Sequence, residues 1–178
     1  MNGKLYVVGT PIGNLSDFSP RARETLTSVD FIAAEDTRVT QKLLNYFDIK
    51  KPLVSYYEHN RRERGEMIIS RILNGEVCAI VTDAGMPCIS DPGQDLVYLC
   101  HENGIQVESV PGPTAFATAL AISGMESGRF TFEGFLSTNK PSRKEHLEEV
   151  KNETRTMIFY EAPHKLKATL KDMYAYFG

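Results

Sequence analysis

Val77-Cys-Ala-Ile-Val81 is followed directly by Thr82-Asp-Ala-Gly-Met-Pro-Cys-Ile-Ser-Asp-Pro-Gly93, and this stretch decides the fold class. The apolar run is typical of a strand that is covered on both faces of a sheet. The loop after it contains two Gly, two Pro and two Asp residues. Glycine allows the backbone to approach a ligand closely, and proline fixes the path of the chain. Because ligands bind at the carboxyl ends of strands in open α/β sheets, the loop predicts a small-molecule site.

Short apolar runs alternate with helix-like segments before and after this stretch. Ser19 and Pro20 are typical of a helix N-cap and of a first helical position, and Gly75 is typical of a helix end. The predicted strands cover residues 5–8, 31–34, 53–57, 77–81 and 105–110, and the predicted helices start at Pro20 and cover 39–47, 61–73, 94–102 and 114–123. The alternation predicts an α/β fold with a mostly parallel five-stranded sheet and helices on both faces.

The pattern changes after Ser123, which suggests a domain boundary between residues 1–123 and residues 124–178. The second part shows predicted strands at 130–135 and 156–160, a basic loop at 139–144 that leads into a helix, and a last helix at 163–177. Two strands and two helices are few for an independent core. We therefore expect the beginning of a second, incomplete α/β domain that is truncated.

Composition excludes several classes of protein. A net charge of −3 gives no overall attraction to nucleic acid or membranes, so an RNA contact would need local basic patches. Cys78, Cys88 and Cys100 form no C-x-x-C pair, and their odd number argues against a disulfide framework. The four histidines are scattered, which predicts no metal site. The sequence shows no membrane-length apolar run and no signal peptide, so we expect a reduced, cytoplasmic protein.

The first loop, Gly9-Thr-Pro-Ile-Gly-Asn14, can be compared with phosphate-binding loops. It lacks the Gly-Lys-Ser/Thr ending of a Walker loop, which argues against an NTPase. It also lacks the central glycine of a dinucleotide fingerprint, because Pro11 stands at that position. Glu35 and Asp36 end the second predicted strand, where that fold places its ribose-binding acid, so dinucleotide binding stays open as an alternative. No G-x-S-x-G elbow is present.

Six motifs together produce a family resemblance that none of them gives alone. They are Val8-Gly-Thr-Pro-Ile-Gly-Asn-Leu15, Ala34-Glu-Asp-Thr-Arg38, Tyr57-Glu-His-Asn60, Asp83-Ala-Gly-Met-Pro-Cys-Ile-Ser-Asp-Pro-Gly93, Val110-Pro-Gly-Pro-Thr-Ala115 and Phe159-Tyr-Glu-Ala-Pro-His164. In this order they resemble the small-subunit ribosomal RNA ribose 2′-O-methyltransferases, a branch of the tetrapyrrole-methylase-like methyltransferases. The resemblance runs from Leu5 to about Met173, which is nearly the whole chain.

The resemblance implies a homodimer that binds S-adenosylmethionine in a cleft between two α/β domains. It implies methylation of the 2′-hydroxyl of a cytidine in the decoding region of the ribosomal RNA. Family members of this branch continue past the length of this chain. By the same resemblance, the cofactor pocket is lined by Pro11, Asp83, Met86, Thr114 and Ala115, with Ala84, Gly85, Ile89 and Ser90 close by. Tyr160 and Glu161 end the last predicted strand, where they either close this pocket from the far side or are ordinary polar residues of a strand end.

The residues of the proposed chemistry fall into two groups. A ribose hydroxyl is a poor nucleophile, so a general base would help, and the candidates are Glu35, Asp36, His59 and Glu161. RNA contacts require local positive charge, and aromatic neighbours favour them because unstacked bases stack on aromatic rings. The candidates are Arg61, Arg62 and Arg64 beside Tyr56 and Tyr57, and a second patch of Lys140, Arg143 and Lys144. Arg38 either contacts an RNA phosphate or pairs with Glu35 or Asp36.

Two alternatives remain open from the sequence. A methyltransferase acting on a small tetrapyrrole would use a related fold and would not depend on the arginines at 61, 62 and 64. A non-catalytic RNA- or partner-binding fragment would fold and dimerise without transferring a methyl group.

Overall fold

The computed structural model describes residues 3–178. The chain forms two compact units, Met1–Thr114 and Ala115–Gly178. The helix at 115–123, which the sequence assigns to the first domain, contacts a strand of the second unit. The predicted domain boundary after Ser123 therefore differs from the division that the packing gives.

The first unit is built on a five-stranded sheet in which every strand pair is parallel. Its strands are β1 (Lys4–Val8), β2 (Phe31–Ala34), β3 (Leu53–Ser55), β4 (Cys78–Val81) and β5 (Gln106–Val110), and its helices are α1 (Pro20–Ser28), α2 (Thr37–Tyr46), α3 (Arg61–Leu73) and α4 (Gln94–Glu102). The strand order is β3-β2-β4-β1-β5. The predicted parallel sheet is confirmed.

Successive strand residues point to opposite sides of this sheet. Helices cover both faces, because both faces carry apolar side chains. On one face, Phe31 and Ile80 pack with Ile68 of α3 and Leu96 of α4. On the other face, strand residues such as Ile32, Ala79 and Val81 pack with side chains of α1 and α2, among them Leu26 and Leu44. All four residues of β2 and of β4 are buried, as expected for strands covered on both faces.

In the first unit, two element ends differ from the sequence prediction by two residues, and side-chain hydrogen bonds explain both. Helix α2 begins at Thr37 instead of Val39 because the Asp36 carboxylate caps it and accepts from the backbone N–H of Arg38. Strand β3 ends at Ser55 instead of Tyr57 because the Asn60 side chain accepts from the Tyr57 backbone N–H at 2.9 Å, which turns the chain toward α3.

The strand order creates a topological switch point between β1 and β4. From β1 the chain crosses by α1 to β2, on the far side of β4, and from β4 it crosses by α4 to β5, on the far side of β1. The loops after these two neighbouring strands therefore leave in opposite directions. Crevices at such points are the usual ligand sites of open α/β sheets.

The second unit has a two-stranded parallel sheet, β6 (Phe130–Phe135) and β7 (Thr156–Tyr160), with α5 (Ala115–Ser123), α6 (Lys140–Glu149) and α7 (Leu166–Phe177). Phe116 stacks on Phe132 with ring centroids 4.7 Å apart, and Tyr160 meets Phe132 edge-on. The predicted basic loop at 139–144 is wrong. Asn139 caps α6 by accepting from the Ser142 N–H, so the helix begins at Lys140.

No helix within residues 3–178 combines the length and the hydropathy that crossing a membrane requires.

Candidate functional site

The loops after β1 and β4 are tied together at the switch point. The backbone N–H of Thr10 donates to the Gly85 carbonyl at 2.9 Å, and the Gly85 N–H donates back to the Thr10 carbonyl at 3.1 Å. The hydroxyl of Thr10 is buried and donates to the Thr82 carbonyl at 3.1 Å. This pairing holds the first loop of the chain against the loop at 82–93.

The loop after β5 joins them through a close approach of two glycines. A Cβ atom built on Gly9 would lie 2.7 Å from the Cα of Gly112 and 2.7 Å from the sulfur of Met86. A Cβ on Gly112 would lie 2.8 Å from the Cα of Gly9. Neither position has room for a side chain, so the three loops meet through bare backbone.

Replacing Gly9 by alanine tests this close approach. We expect Gly9→Ala to lower the free energy of unfolding by about 1–3 kcal/mol, because the new methyl group must push backbone and the Met86 side chain apart. Urea titration followed by circular dichroism measures the loss. A change of less than about 0.5 kcal/mol would contradict the close approach of the three loops.

The loop at 82–93 holds an unusual backbone path. Cys88 and Ser90 have φ angles of 70° and 61°, in the left-handed region that residues with a side chain rarely adopt. Gly93 has φ 129°, and a Cβ there would lie 2.7 Å from the Cys88 sulfur. Such conformations cost free energy and persist where the surrounding structure fixes them, as it does at ligand sites.

Glu35 and Asp91 flank the hydroxyl of Thr82. The Thr82 hydroxyl donates to Glu35 Oε2 at 2.6 Å, and Asp91 also hydrogen-bonds to Thr82. Burial and then the nearby Glu35 carboxylate raise the pKa of Asp91 to about 6. Because a hydroxyl has one proton to donate, the two carboxylates compete for it.

Asp83 follows Thr82 directly and lies beside the start of α2. Its Oδ1 accepts from the backbone N–H of Asp36 at 3.2 Å. Burial raises the pKa of Asp83, and the Glu35 carboxylate raises it further. Arg38 lowers it again, but the main partner of Arg38 is Asp36. A cationic group bound at Asp83 would relieve the repulsion among these carboxylates.

Arg38 pairs with Asp36, which is one of the two roles that the sequence left open for Arg38. The Arg38 guanidinium donates to both carboxylate oxygens of Asp36, to Oδ1 at 3.0 Å and to Oδ2 at 2.6 Å. These hydrogen bonds lower the pKa of Asp36 to about 2. A carboxylate held this way, and also used as a helix cap, is a weak proton acceptor near neutral pH.

Glu161 and Tyr160 make contacts within the second unit. Glu161 accepts from the Thr169 hydroxyl at 2.5 Å and from the Ala162 N–H at 2.7 Å, and the bond from Thr169 is the main cause that lowers its pKa. The Tyr160 hydroxyl accepts from the backbone N–H of Phe116 at 3.0 Å. Both side chains therefore have structural partners. His59 lies exposed near the start of α3, with its ring edge-on to Tyr57.

The remaining candidates for the cofactor pocket lie in the same loops or at their ends. Ile89 and Ser90 are exposed, while Gly85 is buried. The structure places Pro11 in the first loop, Ala84, Gly85, Met86, Ile89 and Ser90 in the loop at 82–93, Thr114 at the end of the loop after β5 and Ala115 at the start of α5. It thus brings Pro11, Asp83, Gly85 and Met86 to one edge of the sheet.

The basic candidates divide by exposure. Arg62 and Arg64 lie exposed in the first turn of α3. The Nε atom of Arg61 lies 3.8 Å from Oδ2 of Asp95. Arg143, predicted to contact RNA, pairs through its guanidinium with Asp172 at 2.8 Å and donates to Thr169, with 16% of the side chain exposed. It joins α6 to α7. The other two members of that patch, Lys140 and Lys144, are exposed on α6.

Sequence reasoning missed Asp91 and Thr82 as functional candidates. Thr82 is the first polar residue after a fully buried strand, and Asp91 stands in the same proline- and glycine-rich loop as Asp83. That placement was a usable signal, since polar groups after buried strands collect at ligand sites. Within residues 3–178, no group of three or more His, Cys, Asp or Glu side chains is placed to hold a metal ion.

Comparison with known proteins places this site in a family context. The family model described as tetrapyrrole (corrin/porphyrin) methylases matches residues 4–177. A ribosomal RNA small subunit methyltransferase I from Synechocystis is 52% identical over 176 residues, which cover 99% of this chain and 63% of that protein. The protein of the same name from Thermotoga maritima is 49% identical over 99% of this chain and 79% of its own length.

The length of the chain differs from that of these relatives. It spans about 63% of the Synechocystis protein and 61% of the Halalkalibacterium halodurans protein of the same name, which is 52% identical.

Solved structures agree on the fold at low sequence identity. Diphthine synthase covers 96% of this chain with a TM-score of 0.70 at 12% identity, and 72% of that chain is matched. Uroporphyrin-III C-methyltransferase from Thermus thermophilus, solved with S-adenosylhomocysteine, covers 97% of this chain and 76% of its own, with a TM-score of 0.66 at 16% identity. Because the family model matches residues 4–177, which are almost the whole chain, this chain belongs to the tetrapyrrole (corrin/porphyrin) methylases.

Proposed function

We propose that this chain carries the methyl-donor site of an S-adenosylmethionine-dependent methyltransferase that modifies a ribose 2′-hydroxyl of a cytidine in small-subunit ribosomal RNA. The observation that carries the proposal is the meeting of three loops at the switch point, with Asp83 beside bare backbone. The relatives that are 49–52% identical to this chain are named ribosomal RNA small subunit methyltransferases, which supports ribosomal RNA as the substrate class. Structures of tetrapyrrole enzymes match at only 16–21% identity, so the tetrapyrrole alternative is not favoured.

The residues present fit a cationic methyl donor. S-adenosylmethionine has a sulfonium and an ammonium group, and both are stabilised near carboxylates. Asp83, with a pKa raised by burial and by Glu35, would accept from the ammonium group or from a ribose hydroxyl. The close approach of Gly9 and Gly112 holds the three loops together beside Asp83. When bound, the cofactor supplies an activated methyl group.

The protein then has to orient the substrate hydroxyl and receive its proton. Positioning alone supplies much of the rate in such a displacement. Of the sequence candidates, Asp36 and Glu161 have pKa values lowered by structural partners. Glu35 shares the Thr82 hydroxyl with Asp91, whose pKa of about 6 suits a group that accepts a proton near neutral pH. We assign proton acceptance to Asp91.

Arginines beside an aromatic group give the first surface for RNA. Arg61, Arg62 and Arg64 lie at the start of α3, close in sequence to Tyr57, which is exposed. Phosphates would meet the guanidinium groups and an unstacked base would meet the ring. The cysteines of the described chain are unpaired, which fits a reducing, cytoplasmic location. A homodimer completes the proposal on the basis of the family resemblance.

Calorimetry tests the cofactor half and a transfer assay tests the substrate half. The 178-residue chain is titrated with S-adenosylmethionine, and a dissociation constant between about 1 μM and 1 mM is expected. Radioactive methyl transfer to unmethylated small ribosomal subunits is then measured, with fragment mapping of the labelled ribose. Binding without transfer would favour a non-catalytic fragment, and absence of binding would overturn the proposal.

A further inference from the structure

A cavity beside the first loop extends beyond the residues that the proposed function uses. It has a volume of about 440 Å³ and lies between that loop and α2. Leu15 contributes from the loop, and Val39, Lys42 and Tyr46 contribute from the helix. Pro11 and Asp83 also line it, so the cavity continues into the proposed methyl-donor site. Its volume lies within the range of about 300–1,000 Å³ that is typical of small-molecule sites.

The walls of this cavity are uncovered apolar groups. Leu15 is 40% exposed, Val39 37% and Tyr46 65%. Val39 and Tyr46 are seven positions apart on α2, so they share one helix face with Lys42. The Tyr46 ring meets Phe47 edge-on at 4.9 Å, and Phe47 packs on Phe18. An aromatic ring supported from behind by the core is a platform on which a flat group can stack.

Positive charge lies along the same helix. Arg38, Lys42 and Tyr46 are spaced by four residues, which places them on one side of α2. The Lys42 ammonium has no ion-pair partner within residues 3–178, and the Arg38 side chain is 86% exposed although it pairs with Asp36. A groove that combines an aromatic ring, apolar walls and free positive charge is suited to a nucleotide, whose base is flat and whose phosphate is an anion.

We propose that this face of α2 binds an unpaired nucleotide of the substrate RNA, next to the one that is methylated. Its base stacks on Tyr46 against Leu15 and Val39, and its phosphate lies at Lys42. The neighbouring ribose then lies near Asp83, where the two sites meet. This inference rests on the proposed function, because it places RNA beside the methyl donor. It names a surface different from the arginines of α3.

RNA binding by substituted chains tests the inference. The probe is a fluorescent, cytidine-rich single-stranded RNA oligonucleotide, and its anisotropy is measured at several salt concentrations. We expect Tyr46→Ala to weaken binding about ten- to hundredfold, because a stacked base is lost. We expect Lys42→Gln to reduce the slope of log affinity against log salt by about 0.7, because one phosphate contact is lost.

Two matched variants serve as controls. Tyr98 is 62% exposed on α4, which packs on the opposite face of the sheet, and Tyr98→Ala should bind RNA like the unmodified chain. Lys50 is exposed in the turn after α2 and does not line the cavity, so Lys50→Gln should leave the salt slope unchanged. Thermal unfolding of each variant confirms that it is folded.

The outcomes separate this inference from the proposed function. Normal RNA binding by Tyr46→Ala, with S-adenosylmethionine binding intact in the same chain, overturns the nucleotide site and leaves the function standing. Loss of S-adenosylmethionine binding in Tyr46→Ala shows that the methyl donor occupies the cavity, which also overturns the inference. If the unmodified chain does not bind S-adenosylmethionine, the proposed function itself fails.

Discussion

Asp83→Asn is expected to weaken S-adenosylmethionine binding about 10- to 100-fold while the chain stays folded. A hydrogen bond that involves a charged group contributes about 1.5–3 kcal/mol, and the substitution removes the negative charge from the contact. The asparagine side-chain oxygen can still accept from the Asp36 N–H, which the aspartate accepts at 3.2 Å. The loss should therefore appear in the binding constant, measured by calorimetry, and not in the melting temperature.

Asp30→Asn is the matched control for this experiment. Asp30 also accepts a backbone N–H from a residue far along the chain, that of Val77 at 2.7 Å, but at the amino end of β4. The same chemical change at the opposite edge of the sheet should leave cofactor binding unchanged. Equal affinity of Asp83→Asn and the unmodified chain would remove Asp83 from the site.

The sheet could be predicted because its signals are local. Buried strands such as β2 and β4 are short apolar runs, and Ser19 and Pro20 mark the start of α1 by their own chemistry. Asp36 shows the limit of this reasoning. Its place in a ligand-binding motif makes it a candidate base, whereas the structure uses it to cap α2 and to hold Arg38.

The site could be predicted only in part because its contacts join distant residues. Thr82 and Glu35 are 47 positions apart, and they meet because β2 and β4 are neighbours in the sheet. Strand order does not follow from the composition of either strand. The cavity beside α2 likewise depends on where the first loop lies against Tyr46. Local patterns therefore identified the loops, while the pairs of groups within them required the tertiary structure.

Asp91→Asn is expected to lower the methylation rate about 100-fold and to flatten its dependence on pH. General base catalysis contributes about 10²- to 10⁴-fold, and asparagine cannot accept the proton. In the unmodified chain the rate should rise with pH through an apparent pKa near 6, the value to which burial and the Glu35 carboxylate raise Asp91. Initial rates on small ribosomal subunits between about pH 5 and 8 measure this profile.

The same variant gives a stability measurement that does not depend on activity. Asp91 has a folded-state pKa of about 6, raised from 3.8, so the folded chain holds the proton more tightly than the unfolded chain. Proton binding by Asp91 therefore adds to the free energy of unfolding below about pH 4, and this contribution is lost as pH rises through about 6. Asparagine does not titrate, so between about pH 4 and 7 the variant should gain about 1 kcal/mol relative to the unmodified chain, after allowance for solvent screening of a half-exposed group.

Thr82 decides whether Asp91 acts alone or with Glu35. Thr82→Val removes the hydroxyl that donates to Glu35 at 2.6 Å, while Thr82→Ser keeps it. If the Thr82 hydroxyl helps to set the pKa of Asp91, the valine variant should shift the apparent pKa of the rate profile and the serine variant should restore it. A profile that is the same in both variants would contradict the coupling. A normal methylation rate for Asp91→Asn would show that Asp91 does not accept the proton.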